Sequence, residues 1–172
     1  MSPRTAASPA HPKGCHERAL GLLAVRPRSR RELERRLRAA GFDHQEVDDV
    51  LQRLEVVGLI DDEAFARALA EQSFGVRRSG ARAVQAALAA KGVSDDTASA
   101  VIRELGGDEE ERALELARSR LTRLRGVPVE RAFPRLVGLL ARRGYPPATA
   151  RRAARLALEV EAPQDRSARR SS

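Results

Sequence analysis

Arginine side chains are the residues whose type and spacing could do chemistry in this sequence. A guanidinium group donates two parallel hydrogen bonds to a phosphate or a carboxylate and stays charged at physiological pH. The chain has 172 residues and a net charge of +8, which favours a polyanionic partner or an acidic protein surface. The candidate contact residues, chosen because they cluster, are Arg26, Arg28, Arg31, Arg35, Arg77, Arg78, Arg82, Lys91, Arg142, Arg143, Arg151 and Arg152.

The sequence around these residues indicates which of them are most suited to binding. Arg77–Arg78 and Arg142–Arg143 have no acid within several residues, so we interpret them as phosphate or acidic-protein contacts. Arg35 lies beside Glu34, and for it a solvated face is an equally good interpretation. Aromatic residues make up only 3% of the chain, so stacking on bases is not expected to drive binding. Contact with a nucleic-acid backbone, or with a protein already on DNA, fits better.

The remaining reactive side chains do not form a catalytic or metal-binding arrangement. The three histidines have no metal-ligand spacing, and no glycine-rich phosphate loop occurs. Cys15 is the single cysteine, which excludes an internal disulfide and fits a reducing compartment. The acids at 61–63 stand where a helix should begin, so capping explains them better than acid–base catalysis. We expect no enzymatic activity, no catalytic residue, no metal and no cofactor.

The two ends of the chain differ in composition from its middle. Residues 1–16 contain several prolines and small polar residues, and residues 163–172 are rich in arginine and serine. Both segments are predicted to be disordered tails. No apolar run is long enough for a signal peptide or a membrane span, so we expect a cytoplasmic protein that does not contact membranes.

Between the tails, one pattern of apolar residues and glycine occurs three times. Corresponding positions lie 51 residues apart between the first and second copies and 52 apart between the second and third. Such a period with preserved chemistry indicates a structural repeat. The three copies are Leu33, Leu37, Gly41, Phe42, Asp43, Val47, Val50 and Leu54; then Val84, Leu88, Gly92, Val93, Ser94, Ala98, Val101 and Leu105; then Leu136, Leu140, Gly144, Tyr145, Pro146, Ala150, Ala153 and Ala157.

Each column of this repeat has a structural interpretation. The apolar pair four residues apart marks one face of a helix, and the glycine marks the left-handed residue that ends it. The apolar residue after the glycine should pack back on the same helix. Asp43 with Glu46, Ser94, and Pro146–Pro147 then suit the start of a further helix, and Ser29 with Glu32 predicts another capping box.

Adding the helical stretch that precedes each copy gives three units of three helices, at 17–60, 61–106 and 107–162. No segment alternates with period two, so no strand is predicted. A two-helix hairpin cannot bury its apolar face alone, so the units should stack into an elongated, curved, all-α body. On such a body, Arg77–Arg78 and Arg142–Arg143 are expected to act as separate contact points on different units.

Four segments together resemble the RecX family in their order and spacing. They are Ala19–Leu33, Gly58–Ala66, Leu88–Val93 and Leu136–Tyr145, and the resemblance covers roughly residues 17–161. The chain departs from the family in one respect. The family often carries a bulky aromatic residue shortly after the Asp-Asp-x-x-Phe-Ala run, on the same helix. Here Arg67–Ser73 contains none, and the next aromatic residue is Phe74.

The resemblance implies tandem three-helix repeats and a regulatory role in homologous recombination, DNA repair and the SOS response. It implies binding in the groove of a RecA-type recombinase filament and inhibition of the recombinase ATPase, strand-exchange and co-protease activities. The candidate residues would then contact the filament, or single- and double-stranded DNA weakly and without sequence preference. We expect the protein to be a monomer.

Two other functions are compatible with the same sequence. Three-helix units with basic helices are also found in helix-turn-helix repressors, and a helical array could serve as an adaptor for an acidic protein. The acidic helix starts at 43–46 and 94–96 would repel DNA, which argues against a repressor. Measurable DNA binding at low salt would argue against the adaptor.

Overall fold

The computed structural model describes residues 14–168, and it is built from helices. No strand occurs in that part of the chain, so the predicted all-α fold is confirmed. A short 3₁₀ turn at Thr122–Leu124 follows the seventh helix. The helices are α1 Cys15–Val25, α2 Arg30–Ala39, α3 His44–Val56, α4 Asp62–Gly75, α5 Ala81–Lys91, α6 Asp95–Leu105, α7 Glu109–Leu121, α8 Val129–Arg142 and α9 Pro147–Ala168.

The helices group in threes, and each group has its own small apolar core. The first core runs from Cys15 to Ile60 and belongs to α1–α3. The second belongs to α4–α6, and the third, from Ala113 to Ala157, belongs to α7–α9. Ala, Leu and Val make up most of these cores. Because each unit has a core of its own, other contacts must hold the three units to one another.

The predicted glycine stops are present at the end of the second helix of every unit. Gly41, Gly92 and Gly144 have φ of 95°, 79° and 87°. The amide of the next residue donates across the glycine to the carbonyl five residues back, as in a Schellman ending. These hydrogen bonds are Phe42 to Leu37 at 3.3 Å, Val93 to Leu88 at 3.1 Å and Tyr145 to Leu140 at 3.1 Å.

Most of the predicted caps are formed, but the two capping boxes are not. The side chains of Ser94 and Asp61 accept amide hydrogen bonds from Thr97 and Ala64. Asp43 accepts from the amide of Gln45, not Glu46. Ser29 accepts from the amide of Glu32, as predicted, yet the Glu32 side chain turns to arginines instead of returning to Ser29. Charge pairing with guanidinium groups outcompetes one amide hydrogen bond.

A carboxylate joins the second unit to the first, and another joins the third unit to the second. Asp62, the first residue of α4, accepts a hydrogen bond of 2.8 Å from the backbone amide of Arg30, the first residue of α2. Glu109, the first residue of α7, accepts one of 2.8 Å from the amide of Ala81, the first residue of α5. We call these two contacts the first joint and the second joint. They are alike, so the repeat extends to the way in which the units are connected.

Both joints also bring a helix start against a helix end. In the first joint, the Ser29 hydroxyl donates to the Lys91 carbonyl. In the second, the Gly80 amide donates to the Arg143 carbonyl at 2.8 Å. A Cβ on Gly92 would overlap the Arg31 side chain, so glycine at this helix end serves the joint as well as the turn.

The outermost helices depart from the repeat at the positions that make the joints. Three fully buried alanines, Ala19, Ala66 and Ala113, occupy the same position in the first helix of each unit. The residues four positions before them are Cys15, Asp62 and Glu109. The first unit thus has a cysteine where the others have the joint carboxylate. In the third unit, α8 begins seven residues before Leu136, whereas α2 and α5 begin three residues before Leu33 and Val84.

The predicted tails are shorter than expected where the structure describes them. Helix α1 already includes Cys15 and His16, and residues 1–13 lie outside the described part of the chain. Helix α9 continues through Pro163 to Ala168, although a tail was predicted from residue 163. No helix among residues 14–168 is long and apolar enough to cross a membrane.

We expect Gly92→Ala to lower the free energy of unfolding by at least about 1 kcal/mol, because the new Cβ meets the Arg31 side chain and the φ is left-handed. Gly75→Ala is the control, since Gly75 is helical and a Cβ there has open space. That change should stabilise by up to about 1 kcal/mol. Chemical denaturation of both variants measures the difference, and equal stabilities would contradict the joint role of Gly92.

Candidate protein and nucleic-acid interface at the joints

A buried carboxylate gathers four cations beside the first joint. Glu32 is only 4% exposed. Its carboxylate contacts the guanidinium groups of Arg26 and Arg28, and that of Arg36 at 3.4 Å. The Lys91 ammonium approaches from the second unit, at 3.8 Å. One negative and four positive charges leave this cluster with an excess of positive charge.

Three of the predicted contact residues belong to this cluster. Arg28 is 7% exposed and also donates from Nε to the Leu22 carbonyl at 3.0 Å, so it is a structural residue inside the fold. This differs from its prediction as an accessible contact. Arg26 and Lys91 keep about two fifths of their side chains exposed and can still face a partner. The sequence signal for the cluster was a single acid with arginines four residues before and after it.

The surroundings of Glu32 keep its carboxylate charged. Burial raises the pKa of Glu32, but the hydrogen bond and charge of Arg26, the charge of Lys91 and the hydrogen bond of Arg28 outweigh burial. The resulting pKa of Glu32 lies below its ordinary value of 4.5. The charged form therefore stabilises the fold at neutral pH.

Two arginine pairs that are far apart in the sequence meet at the second joint. The Arg143 guanidinium donates to the Arg77 carbonyl, and the Tyr145 hydroxyl donates to the Arg78 carbonyl at 2.9 Å. Arg77–Arg78 and Arg142–Arg143 therefore lie on two segments that meet at the second joint, which contradicts their prediction as separate contact points. Arg143 itself holds the joint together.

Four exposed cations remain free at this joint. The side chains of Arg77, Arg78, Arg82 and Arg142 are exposed and make no hydrogen bond or ion pair within residues 14–159. We call these four residues the joint patch. Arg78 also lines a groove of about 470 Å³ with Glu71, Glu115 and Arg112, so acids absent from its sequence neighbourhood stand near it in space.

The other predicted contact residues lie outside the Glu32 cluster and the joint patch. Arg31 is exposed, and its aliphatic part lies against Gly92 in the first joint. Arg35 and Arg151 are exposed without a described partner, and Arg152 pairs with Glu110 at 3.2 Å. The sequence analysis missed Arg112, whose guanidinium lies 4.8 Å from the centre of the Phe74 ring between the second and third units. No sequence pattern marks that contact.

The one thiol of the chain is buried and unreactive. Burial raises the pKa of Cys15 to about 11, with the nearby charge of Glu46 adding to the effect. The thiol is neutral at physiological pH and therefore a poor nucleophile. Within residues 14–168, no group of three or more His, Cys, Asp and Glu side chains could hold a metal ion.

The fold and the joints define a tandem array of three-helix units with cationic contacts between them. Two family models recognise the first two of these units. The model described as "RecX, first three-helix domain" matches residues 15–54, and the one described as "RecX, second three-helix domain" matches residues 61–102. These ranges coincide with α1–α3 and α4–α6.

Curated relatives match over most of the chain. A protein from Thermobifida fusca named "Regulatory protein RecX" is 39% identical over 143 residues, which is 83% of this chain and 77% of the relative. Proteins of the same name from Amycolatopsis mediterranei and Streptomyces coelicolor are each 38% identical, over 78% and 83% of this chain and 77% and 76% of the relatives. The chain belongs to the RecX family.

Solved structures share the fold at lower identity. The crystal structure of RecX from Lactobacillus salivarius superposes with a TM-score of 0.71 at 18% identity, covering 83% of this chain and 94% of that one. A second crystal structure, described as regulatory protein RecX, gives a TM-score of 0.66 at 21% identity over 78% of this chain and 67% of that one. At these identities the likeness concerns the fold alone.

We expect Glu32→Gln to lower the free energy of unfolding at pH 7 by about 1 to 3 kcal/mol, because four cations lose a buried charged partner. The pKa of Glu32 is lowered in the folded protein, so its stabilisation is present above about pH 4.5 and is lost as the pH falls further. The difference from the unmodified protein should therefore shrink in acid. Glu34→Gln is the control on the same helix, because Glu34 is 3.9 Å from Arg38 and more exposed. Equal effects of the two changes, measured by denaturation at several pH values, would contradict the role of Glu32.

Proposed function

We propose that this protein regulates a RecA-type recombinase by binding its filament on DNA and inhibiting its ATPase, strand-exchange and co-protease activities. The observation that carries the proposal is membership of the RecX family over most of the chain, with relatives named as regulatory proteins. The arrangement of charge supports binding to a filament. The joint patch presents four free guanidinium groups, and the first joint adds the half-exposed Arg26 and Lys91.

These cations suit the backbone of DNA. Guanidinium groups bind phosphate in a bidentate manner, and phosphate contacts position a protein without identifying a sequence. The joint patch contains no aromatic side chain for stacking on a base. We therefore propose weak contacts to single- and double-stranded DNA within the filament, made by a monomer through the helical array.

Neither alternative function is favoured by a specific observation. A repressor would insert a helix N-terminus into the major groove, but α3 and α6, which Asp43 and Ser94 cap, carry acids in their first turns. An adaptor for an acidic protein would use the same cations. It is distinguished from the proposed function because its partner binds without DNA or recombinase.

We expect sequence-independent DNA binding that weakens steeply with salt. Each phosphate contact contributes about 0.7 to 0.9 to the slope of log affinity against log salt, and the joint patch offers four such contacts. Fluorescence anisotropy with unrelated single- and double-stranded oligonucleotides, at several salt concentrations, gives this slope. A strong preference for one duplex at physiological salt would favour a repressor instead.

We expect Arg77→Glu combined with Arg142→Glu to weaken recombinase inhibition about tenfold or more, because charge reversal at two of the four residues of the joint patch repels phosphates. Both side chains are exposed and free of described partners, so the fold should be unchanged. The measurement is the half-inhibitory concentration in an ATPase assay of the cognate recombinase on single-stranded DNA.

Arg53→Glu combined with Arg103→Glu is the matched control. These arginines are also exposed, change the net charge equally and lie outside the joint patch. The control should inhibit to within about twofold of the unmodified protein, since only general charge is altered. Equal loss in both double variants would assign binding to net charge rather than to the joint patch, and an unmodified protein that does not inhibit would contradict the proposed function.

A further inference from the structure

An open apolar groove of about 670 Å³ lies where the first unit meets the second. The loops before α2 and α4 contribute Pro27 and Leu59 to its walls. Helix α4 contributes the side chains of Phe65, Ala68 and Leu69. The groove shares no lining residue with the joint patch, so it is a second surface with different chemistry.

Several exposed apolar side chains lie in the groove or close in the chain to residues that line it. Leu59 is 52% exposed, and Val25, Val56 and Val57 are exposed still more. They stand at the ends of α1 and α3 and in the loop that leads to α4. Leaving apolar side chains together in water costs free energy, and such patches usually mark a surface that another chain covers.

The charged residues that line the groove are mainly cationic. Arg26 is 40% exposed and Arg28 is buried, and both belong to the cluster in which four cations share the single carboxylate of Glu32. Asp61 is the one carboxylate among the lining residues, and its side chain accepts the Ala64 amide at the start of α4. The remaining positive charge beside the apolar walls suits a segment that has apolar side chains next to a carboxylate. A sugar–phosphate backbone would satisfy the charge but would leave the apolar walls in water.

We propose that this groove binds the recombinase subunit itself, through an apolar segment flanked by carboxylates, while the joint patch contacts the DNA backbone. The inference rests on the proposed function. It assigns binding of the recombinase to one surface and binding of the DNA to another. It explains how a protein with weak affinity for DNA selects DNA that carries a recombinase. Two linked contacts bind the filament more tightly than either contact alone.

The test is Ala68→Glu, which places a carboxylate against the apolar walls on an exposed helical position that tolerates glutamate. Inhibition of the recombinase ATPase should weaken about tenfold or more, because a charge in an apolar contact is costly and repels the partner's acids. The affinity for naked single-stranded DNA should stay within about twofold of that of the unmodified protein, because only one unit of net charge changes. Leu59→Glu should behave in the same way.

Matched controls separate the groove from general surface changes. Ala100→Glu adds the same charge to another exposed helical position of the second unit, outside the groove. Val129 is 54% exposed, close to Leu59, so Val129→Glu controls for the loss of an exposed apolar side chain. Both controls should inhibit normally. Ala68→Arg tests whether the bound segment of the recombinase carries flanking carboxylates. An arginine there attracts those carboxylates, so it should weaken inhibition less than Ala68→Glu does.

Four outcomes overturn the inference while the unmodified protein still inhibits. They are unchanged inhibition by Ala68→Glu, an equal loss of naked-DNA affinity, equal losses with Ala68→Arg and Ala68→Glu, or a dimer of the unmodified protein that Ala68→Glu dissociates in sedimentation velocity. The last outcome would assign the groove to a second copy of this chain. A folded, unmodified protein that fails to inhibit contradicts the proposed function instead, so the two failures are distinguishable.

Discussion

Asp62 and Glu109 each accept a backbone amide from a helix of the preceding unit, and the arrangement of the units depends on these two hydrogen bonds. Each carboxylate stands at the start of its own helix while it faces the start of another. It therefore meets the positive ends of two helix dipoles at once. Because the apolar cores are separate, polar pairs and close backbone packing fix the angle between units, and a carboxylate held by two helix starts is well suited to that role.

The same geometry creates the surfaces that we assign to binding. The second joint seats the end of α8 on the loop before α5, and this brings Arg143 and Tyr145 against Arg77 and Arg78. The first joint brings Lys91 to Glu32 and leaves the groove open beside it. Partner binding and the stacking of units are therefore coupled, since a change in either joint angle would move the charges that face the partner.

Local features of the fold could be predicted from the sequence, and the contacts between units could not. The apolar pairs, the glycine stops and most caps involve residues within one helix or its ends, and short-range spacing determines them. The joints connect residues from 28 to 67 positions apart, so they depend on how whole units are oriented. Charge clustering selected Arg77, Arg142 and Arg28 alike. It does not show that Arg28 is buried against Glu32 and the Leu22 carbonyl, although the spacing of four residues between Arg28 and Glu32 permits that ion pair.

A linear array whose joints are all alike carries a hazard of its own, because copies of the chain could attach end to end and grow into fibres. The outer faces of this array do not repeat the pairing. Helix α1 begins with the buried thiol of Cys15 in place of a joint carboxylate. At the other end, α8 starts a turn earlier, so the backbone amide of Phe133, which corresponds in register to that of Arg30, lies inside the helix and bonds within it. The protein can therefore use a head-to-tail contact twice internally without offering it to its neighbours in solution.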